Sequence, residues 1–292
     1  MRCDPPRTKR GIAIALLCAI AVPATAQQAT FSSRRETVRV DVLVSDRGRP
    51  VRGLGPADFE ILDSGVRQEV DFVGFEQLPL SVVLALDGSA SISPEQFGNL
   101  RDGGRAVVGQ LKPEDRAALL TFVDAVTLRQ PLTGDAARVV AALDRMERST
   151  LASGGTALAD TCFTAMTMLD DDPGRALLIV FTDGVDTSSW LPPERVLQAA
   201  RRSNVVVYAV STGRLPGGSF LRELSEATGG SAIDGQSMAT VSAAFVRILD
   251  EFRQRYLVSF SPANVPAGGW HPLTVRVKAR NVDVRARPGY VR

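Results

Sequence analysis

Valines at 38, 40, 42 and 44 alternate with Arg39, Asp41 and Leu43, a period of two that predicts a strand with one buried face. Residues 46–50 supply a turn, and the stretches 59–62 and 69–73 flank Asp63-Ser64-Gly65, a hairpin-like signal. The first folded stretch is therefore β-rich, with too few strands to be stable alone. From about Pro79 the pattern changes. Continuous apolar runs at 80–86, 176–181 and 205–210 read as strands buried on both faces, and they alternate with segments of helical period.

The first of these helices starts at Ser93-Pro94-Glu95-Gln96, which has the form of an N-cap, a proline at the first position and a reciprocal glutamine. It carries Phe97, Leu100, Gly104, Val107, Val108 and Leu111 on one face. Strands at 117–123 and 126–132 follow, joined by a tight turn at Asp124, and a helix from Asp135 buries Val139, Val140, Leu143 and Met146. The next helix places Leu158, Cys162, Ala165, Met166 and Leu169 on one face, which makes Cys162 a buried, inert thiol. Helices at 193–202 and 220–227, and a last one carrying Val241, Phe245, Ile248, Leu249 and Phe252, complete the alternation.

After Arg255 the pattern returns to strands, at 256–260, 273–277 and 282–285, with Pro262, Pro266, Gly268 and Gly269 marking a loop. Neither terminal β segment can build a core alone, so residues 36–78 and 255–292 are expected to pair into one small sandwich-like domain. The expected fold is thus α/β: a doubly wound, mostly parallel sheet over 79–252, inserted in that β domain. No internal repeat, heptad run or low-complexity tract is present.

The N-terminus changes the reading of charge and cysteine. Arg2, Arg7, Lys9 and Arg10 precede an apolar run at 11–22, then Pro23 and Ala24-Thr25-Ala26, the layout of a signal peptide over 1–26. A lipid anchor on Cys18 competes with this, but Leu17 stands where a small residue is expected. Cleavage removes four basic residues against Asp4 and turns a formal charge of +2 into −1, so the basicity predicts neither nucleic-acid nor membrane binding. Cys3 and Cys18 leave with it, and Cys162 alone can form no intramolecular disulfide. The mature protein is expected to be secreted or periplasmic.

Three separated stretches end in hard oxygen donors: Asp87, Ser89 and Ser91; then Thr156 behind Gly154-Gly155; then Asp183 in Thr182-Asp183-Gly184. In an open α/β sheet, ligands bind beyond the carboxyl ends of the strands where strand order reverses. If the strands ending at Asp87 and Asp183 are neighbours there, both carboxylates face one crevice and the glycine loop can bring Thr156 beside them. Gly88 and Gly184 allow sharp turns. A set of oxygens with no imidazole or thiolate points to Mg²⁺, Mn²⁺ or Ca²⁺, and away from zinc or copper. Singly, each residue also reads as a turn or capping group. Asp170-Asp171-Asp172 reads as a solvated loop, and His271, the only histidine, as a surface or packing residue.

The ordered set resembles the von Willebrand factor type A domain: Asp87-Gly88-Ser89-Ala90-Ser91 matches its D-x-S-x-S signature, Thr156 its second-loop threonine and Asp183 its third-loop aspartate. The flanks resemble those of secreted bacterial proteins described as VWFA-related. The looser motifs that carry this are Val42-Leu43-Val44-Ser45-Asp46 through Asp58-Phe59-Glu60, and Val284-Arg285-Ala286-Arg287-Pro288-Gly289-Tyr290. The resemblance implies a metal-ion-dependent adhesion site, with both serine hydroxyls ligating directly and the threonine and aspartates directly or through water. It also implies Mg²⁺ as the expected ion, and a protein partner that offers an acidic side chain.

A binding module rather than an enzyme is therefore expected. The alternatives are a metal-stabilised scaffold of the cell envelope and, behind it, a metal-dependent hydrolase with Asp87 as nucleophile. Against the hydrolase, Ser89 and Ser91 replace a D-x-D-x-T arrangement, and no G-x-S-x-G, H-E-x-x-H or P-loop occurs.

Overall fold

The computed structural model describes residue 1 and residues 36–292, apart from 76–77, 150–153, 171, 184, 213–218, 235–238 and 279–280. The expected signal peptide and Gly184 lie outside the described residues. The N-terminal segment forms β1 (Val38–Asp46), β2 (Arg49–Pro50), β3 (Phe59–Asp63), β4 (Val66–Gln68) and β5 (Val70–Phe75). The middle of the chain begins with β6 (Leu80–Asp87), α1 (Pro94–Val108), β7 (Arg116–Phe122), β8 (Val126–Thr133), α2 (Ala136–Asp144) and α3 (Leu158–Asp170). It continues with β9 (Arg175–Thr182), α4 (Pro193–Ala200), β10 (Val206–Ser211), α5 (Phe220–Ala227), β11 (Ser231–Asp234) and α6 (Ala239–Arg253). Strands β12 (Tyr256–Phe260), β13 (Trp270–Val277), β14 (Asp283–Arg285) and β15 (Gly289–Val291) complete the chain.

Every residue of β6 and of β9 is buried, as continuous apolar runs require in a sheet covered on both sides. The sheet order is β11-β10-β9-β6-β7-β8, parallel throughout except for β8. Apolar and polar residues do not alternate along β6, because both faces need apolar cover: Val82, Leu84 and Leu86 pack with α1, α2 and α6, whereas Val83 and Ala85 pack with α3, α4 and α5. Helix α1 begins as its sequence dictates: Ser93 Oγ accepts from Gln96 N at 3.2 Å and Gln96 Oε1 accepts from Ser93 N at 2.8 Å. This reciprocal cap is worth about 1 kcal/mol. The chain leaves β6 for β7 on one side and later returns to β9 on the other, so strand order reverses at the β6/β9 boundary.

Two antiparallel sheets, β14-β1-β12-β5 and β15-β13-β3-β4, combine strands from both termini. They share a core that includes Val40, Val42, Ile61, Tyr256, Val258, Phe260 and Tyr290. The turn at Ser64-Gly65, with φ of 50° and 82°, does close a hairpin. Its second strand, however, is β4, because the chain crosses after Gln68 and residues 70–75 pair with β12 in the other sheet. Strands β11 and β15 were not expected, being short and without alternation.

One polar expectation is corrected. Asp172 does not sit in a solvated loop: its side chain is 6% exposed and accepts from Ser81 Oγ, Arg116 Nη1 and Gly174 N. It ties together the starts of β6 and β7 and the turn before β9, and Arg116 balances its charge. Asp170, by contrast, is exposed, although it accepts from Ser203 Oγ at 2.7 Å. His271, expected at the surface or in packing, takes the packing role: alternation in β13 points it inward, where Nδ1 pairs with the buried Asp63 Oδ1 at 2.8 Å. Cys162 is fully buried as expected, and burial pushes its thiol well above the usual range.

Candidate metal centre

The carboxyl end of β6 delivers Asp87 into a buried position at the reversal point of the sheet. Thr182, the last residue of β9, donates from Oγ1 to Asp87 Oδ2 at 2.6 Å, and the Ser89 amide donates to Oδ1 at 2.8 Å. The loop therefore folds back over the aspartate that starts it. Burial raises the Asp87 pKa; the bonds from the Thr182 hydroxyl and the Ser89 amide and hydroxyl oppose this, and the neighbouring charge of Asp183 adds to it. The net direction is upward, so the ionised carboxylate carries an uncompensated part of its desolvation cost.

From Asp87 the oxygens continue outward. The hydroxyls of Ser89 and Ser91 stand 2.8 Å apart, and Ser91 Oγ donates to Asp183 Oδ1 at 3.0 Å. The structure thus brings four of the five expected residues into one hydrogen-bonded chain. The fifth, Thr156, is placed by its neighbours. Ala157 N donates to Val123 O at 2.6 Å, just past the strand residue Phe122 that is in register with Asp87. Thr156 N donates to Thr187 Oγ1 at 2.8 Å, and Thr156 O accepts from Thr187 N at 3.0 Å. The second loop is thereby sewn to both the β7 edge and the third loop.

Oxygens bound side by side on an octahedral ion at about 2.1 Å stand about 3.0 Å apart. The Ser89–Ser91 and Ser91–Asp183 separations of 2.8 and 3.0 Å match that edge length. The donor set is oxygen-only, and no group of three or more His, Cys, Asp and Glu side chains suited to a metal occurs among the described residues. The residues thus fit a hard divalent ion held by few charges.

Sequence reasoning missed the supports of this site. Thr182 precedes Asp183 in a motif read only for its aspartate, yet it is the hydroxyl that orients Asp87. Asp186 Oδ1 accepts from Leu158 N at 2.9 Å and from Ser189 Oγ at 2.6 Å, acting as a cap for α3 supplied from another loop. Asp160 of α3 in turn holds that loop, accepting from Trp190 N and Leu191 N, both at 2.9 Å. Arg148 Nη1 donates to Ala90 O and Ile92 O at 3.1 and 3.3 Å, bracing the first loop. Asp186 and Ser189 lie in a polar cluster that signals a loop, but nothing in the sequence says which helix they cap.

The protein-family comparison matches the von Willebrand factor type A domain over residues 81–247. No curated protein matches the chain in sequence. Among solved structures, proximal thread matrix protein 1 from the mussel byssus is 19% identical with a TM-score of 0.54; the match covers 65% of this chain and 50% of that one. This chain thus matches about half the length of the mussel protein. A second structure of that protein, described as having a zinc-occupied MIDAS motif, matches at 19% identity and a TM-score of 0.54 over 63% and 48% of the two chains. An aerotolerance-related membrane protein from Bacteroides fragilis matches at 14% identity and a TM-score of 0.48, over 59% and 99%. Because the family match takes in more than half of its residues and spans all three loops, the chain belongs to the von Willebrand factor type A domain family.

Proposed function

We propose that this protein is an exported binding module that holds a divalent cation, Mg²⁺ first, on Asp87, Ser89, Ser91, Thr156 and Asp183, and captures an acidic side chain of a protein partner. The observation that carries the reading is the run of oxygens from Ser89 through Ser91 to Asp183, spaced as neighbouring ligands of one ion. A cation bound there supplies a positive charge with an open position for a carboxylate. The chain's own residues do the rest. Thr182 and the Ser89 amide occupy both oxygens of Asp87 and keep that carboxylate in place beneath the loop. Ser89, Ser91 and Thr156 are neutral donors, so they leave most of an ion's charge unspent for a partner.

Export rests on the basic, apolar and Ala-x-Ala order of residues 1–26. No helix among the described residues is long and apolar enough to cross a membrane. The test is capture of partners from the native envelope by the immobilised protein, with chelator, with Mg²⁺ restored, and with Asp87→Ala. A partner retained by wild type in Mg²⁺, released by chelator and never held by the variant supports the reading. Partners held equally in chelator overturn it. Titration with Mg²⁺, Mn²⁺, Ca²⁺ and Zn²⁺ identifies the ion, the last included because a mussel relative is described with zinc.

A further inference from the structure

We infer that the loop following Asp183 is the apolar half of the partner site, and that the segment docking here presents its carboxylate beside a large apolar side chain that packs on Val185 and Trp190. The inference rests on the cation-dependent reading above and adds the chemical class of the partner. Apart from Met1, Trp190 at 91% and Val185 at 76% are the most exposed large apolar side chains among the described residues. Both lie on this loop, at either end of a short polar run.

Three side chains of that polar run, Asp186, Thr187 and Ser189, hold the loop in place. Asp186 receives Leu158 N and Ser189 Oγ, Thr187 receives Thr156 N, and Ser189 Oγ accepts from Asp160 N at 3.1 Å. Trp190 N and Leu191 N are both fixed on Asp160. A Cβ on Gly155 would come within 2.6 Å of Ser188 Oγ, so the second and third loops lie in contact. The backbone beneath Trp190 is therefore set while its ring stands in water.

An aromatic ring carried on a fixed backbone has few side-chain torsions to lose on burial and offers some 150–250 Å² of surface, the character of an interface hot spot. On the first loop, the Arg148 guanidinium rests on Ala90 O and Ile92 O, adding a cationic side chain to the loop that carries Ser89 and Ser91. A cation-binding edge with Arg148 near one loop and two bare apolar side chains on another is complementary to an acidic and apolar protein segment.

The test is selection of phage-displayed random peptides on the wild-type protein and on Trp190→Ala, in Mg²⁺ with elution by chelator. Wild type should enrich peptides that combine Asp or Glu with Trp, Phe or Leu at a fixed offset. Trp190→Ala should bind Mn²⁺ as wild type does, yet bind the best such peptide roughly tenfold or more weakly. The chain has two tryptophans, so Trp270→Phe leaves Trp190 as sole reporter, and its emission should shift to the blue on adding a selected peptide whose apolar residue is Phe or Leu. Acidic peptides without an apolar preference would overturn this inference and leave the cation reading standing. No chelator-sensitive enrichment would overturn both. Trp190-dependent binding to phosphatidylglycerol vesicles, or a Trp190-dependent dimer, in place of peptide selection would also overturn it.

Discussion

Replacing Asp87 by Asn separates the cation reading from a purely structural role for the first loop. The substitution keeps shape and hydrogen-bonding reach but removes a buried charge. The asparagine oxygen can keep the Ser89 amide, now 2.8 Å from Oδ1, and the Thr182 hydroxyl can turn to accept from the new amide. Two charge-assisted bonds become neutral ones, at about 1 kcal/mol each. Against this, burial already disfavours the ionised form of Asp87, and the variant is relieved of that cost. The effects oppose one another at similar size, so in chelator the variant and wild type should unfold within about 1 kcal/mol of each other. In an ion concentration a hundred times the dissociation constant, wild type gains about 2.7 kcal/mol, a rise of roughly 5 °C in Tm for a chain of this size. Asp87→Asn should gain almost none of it. Scanning calorimetry with chelator, then with Mg²⁺, Mn²⁺ or Ca²⁺, reads both quantities. A wild-type shift that survives intact in the variant, or no wild-type shift with any ion, refutes the reasoning.

Three further outcomes follow from buried groups elsewhere. Tyr290 donates to Asp63 Oδ2 at 2.7 Å, so Tyr290→Phe leaves a buried acceptor short of a partner and should cost about 1–3 kcal/mol in denaturant titration, with Mn²⁺ affinity unchanged. Cys162 should resist alkylation in the folded protein and react only on unfolding, measured by mass spectrometry with Cys3 and Cys18 replaced by Ser. Burial holds the Tyr208 phenol up at about 12 from an ordinary 10.0, so the unfolded chain loses this proton first. Its contribution is complete below about pH 10 and is lost as pH rises toward 12; the alkaline unfolding curve of Tyr208→Phe should be flatter than that of wild type across that window.

The candidate donor residues were legible because each stands where a periodic element stops. Asp87 ends a run of apolar residues, Asp183 follows another, and Thr156 comes two residues before α3; period and punctuation alone place them on one sheet edge. Strand order then makes β6 and β9 neighbours, which no local pattern states. What sequence could not yield were the groups whose partners are remote. Thr182 reaches Asp87 across 95 positions and Asp172 reaches Ser81 across 91. An aspartate triplet before Pro-Gly carries the same local signal whether it is solvated or clamps three strands. His271 shows the same limit, since alternation in β13 assigns it a face, but only the pairing of β13 with β3 puts Asp63 against it.

The C-terminal motif shows what such remote contacts accomplish. Arg287 is buried and donates to Ser203 O and Arg201 O, both at 2.8 Å, so its guanidinium serves the carbonyls that end α4 and the turn after it. Gly289 lies where a Cβ would run into the Trp270 ring and come within 2.5 Å of His271 O, so a side chain there would separate β15 from β13. Arg285 pairs with Glu251 of α6, while Arg255, fully buried, donates to Tyr208 Oη at 2.8 Å and Gly229 O at 2.6 Å. Arg255 also lies between α6 and β12, with only Gln254 separating it from the helix. Drawing α6 away from the sheet would strip that guanidinium of its partners, and an uncompensated buried charge costs about 3–5 kcal/mol. The end of α6 and the start of β12 therefore behave as one piece, and the sandwich braces the α/β sheet at the end opposite the loops that carry Asp87, Thr156 and Asp183.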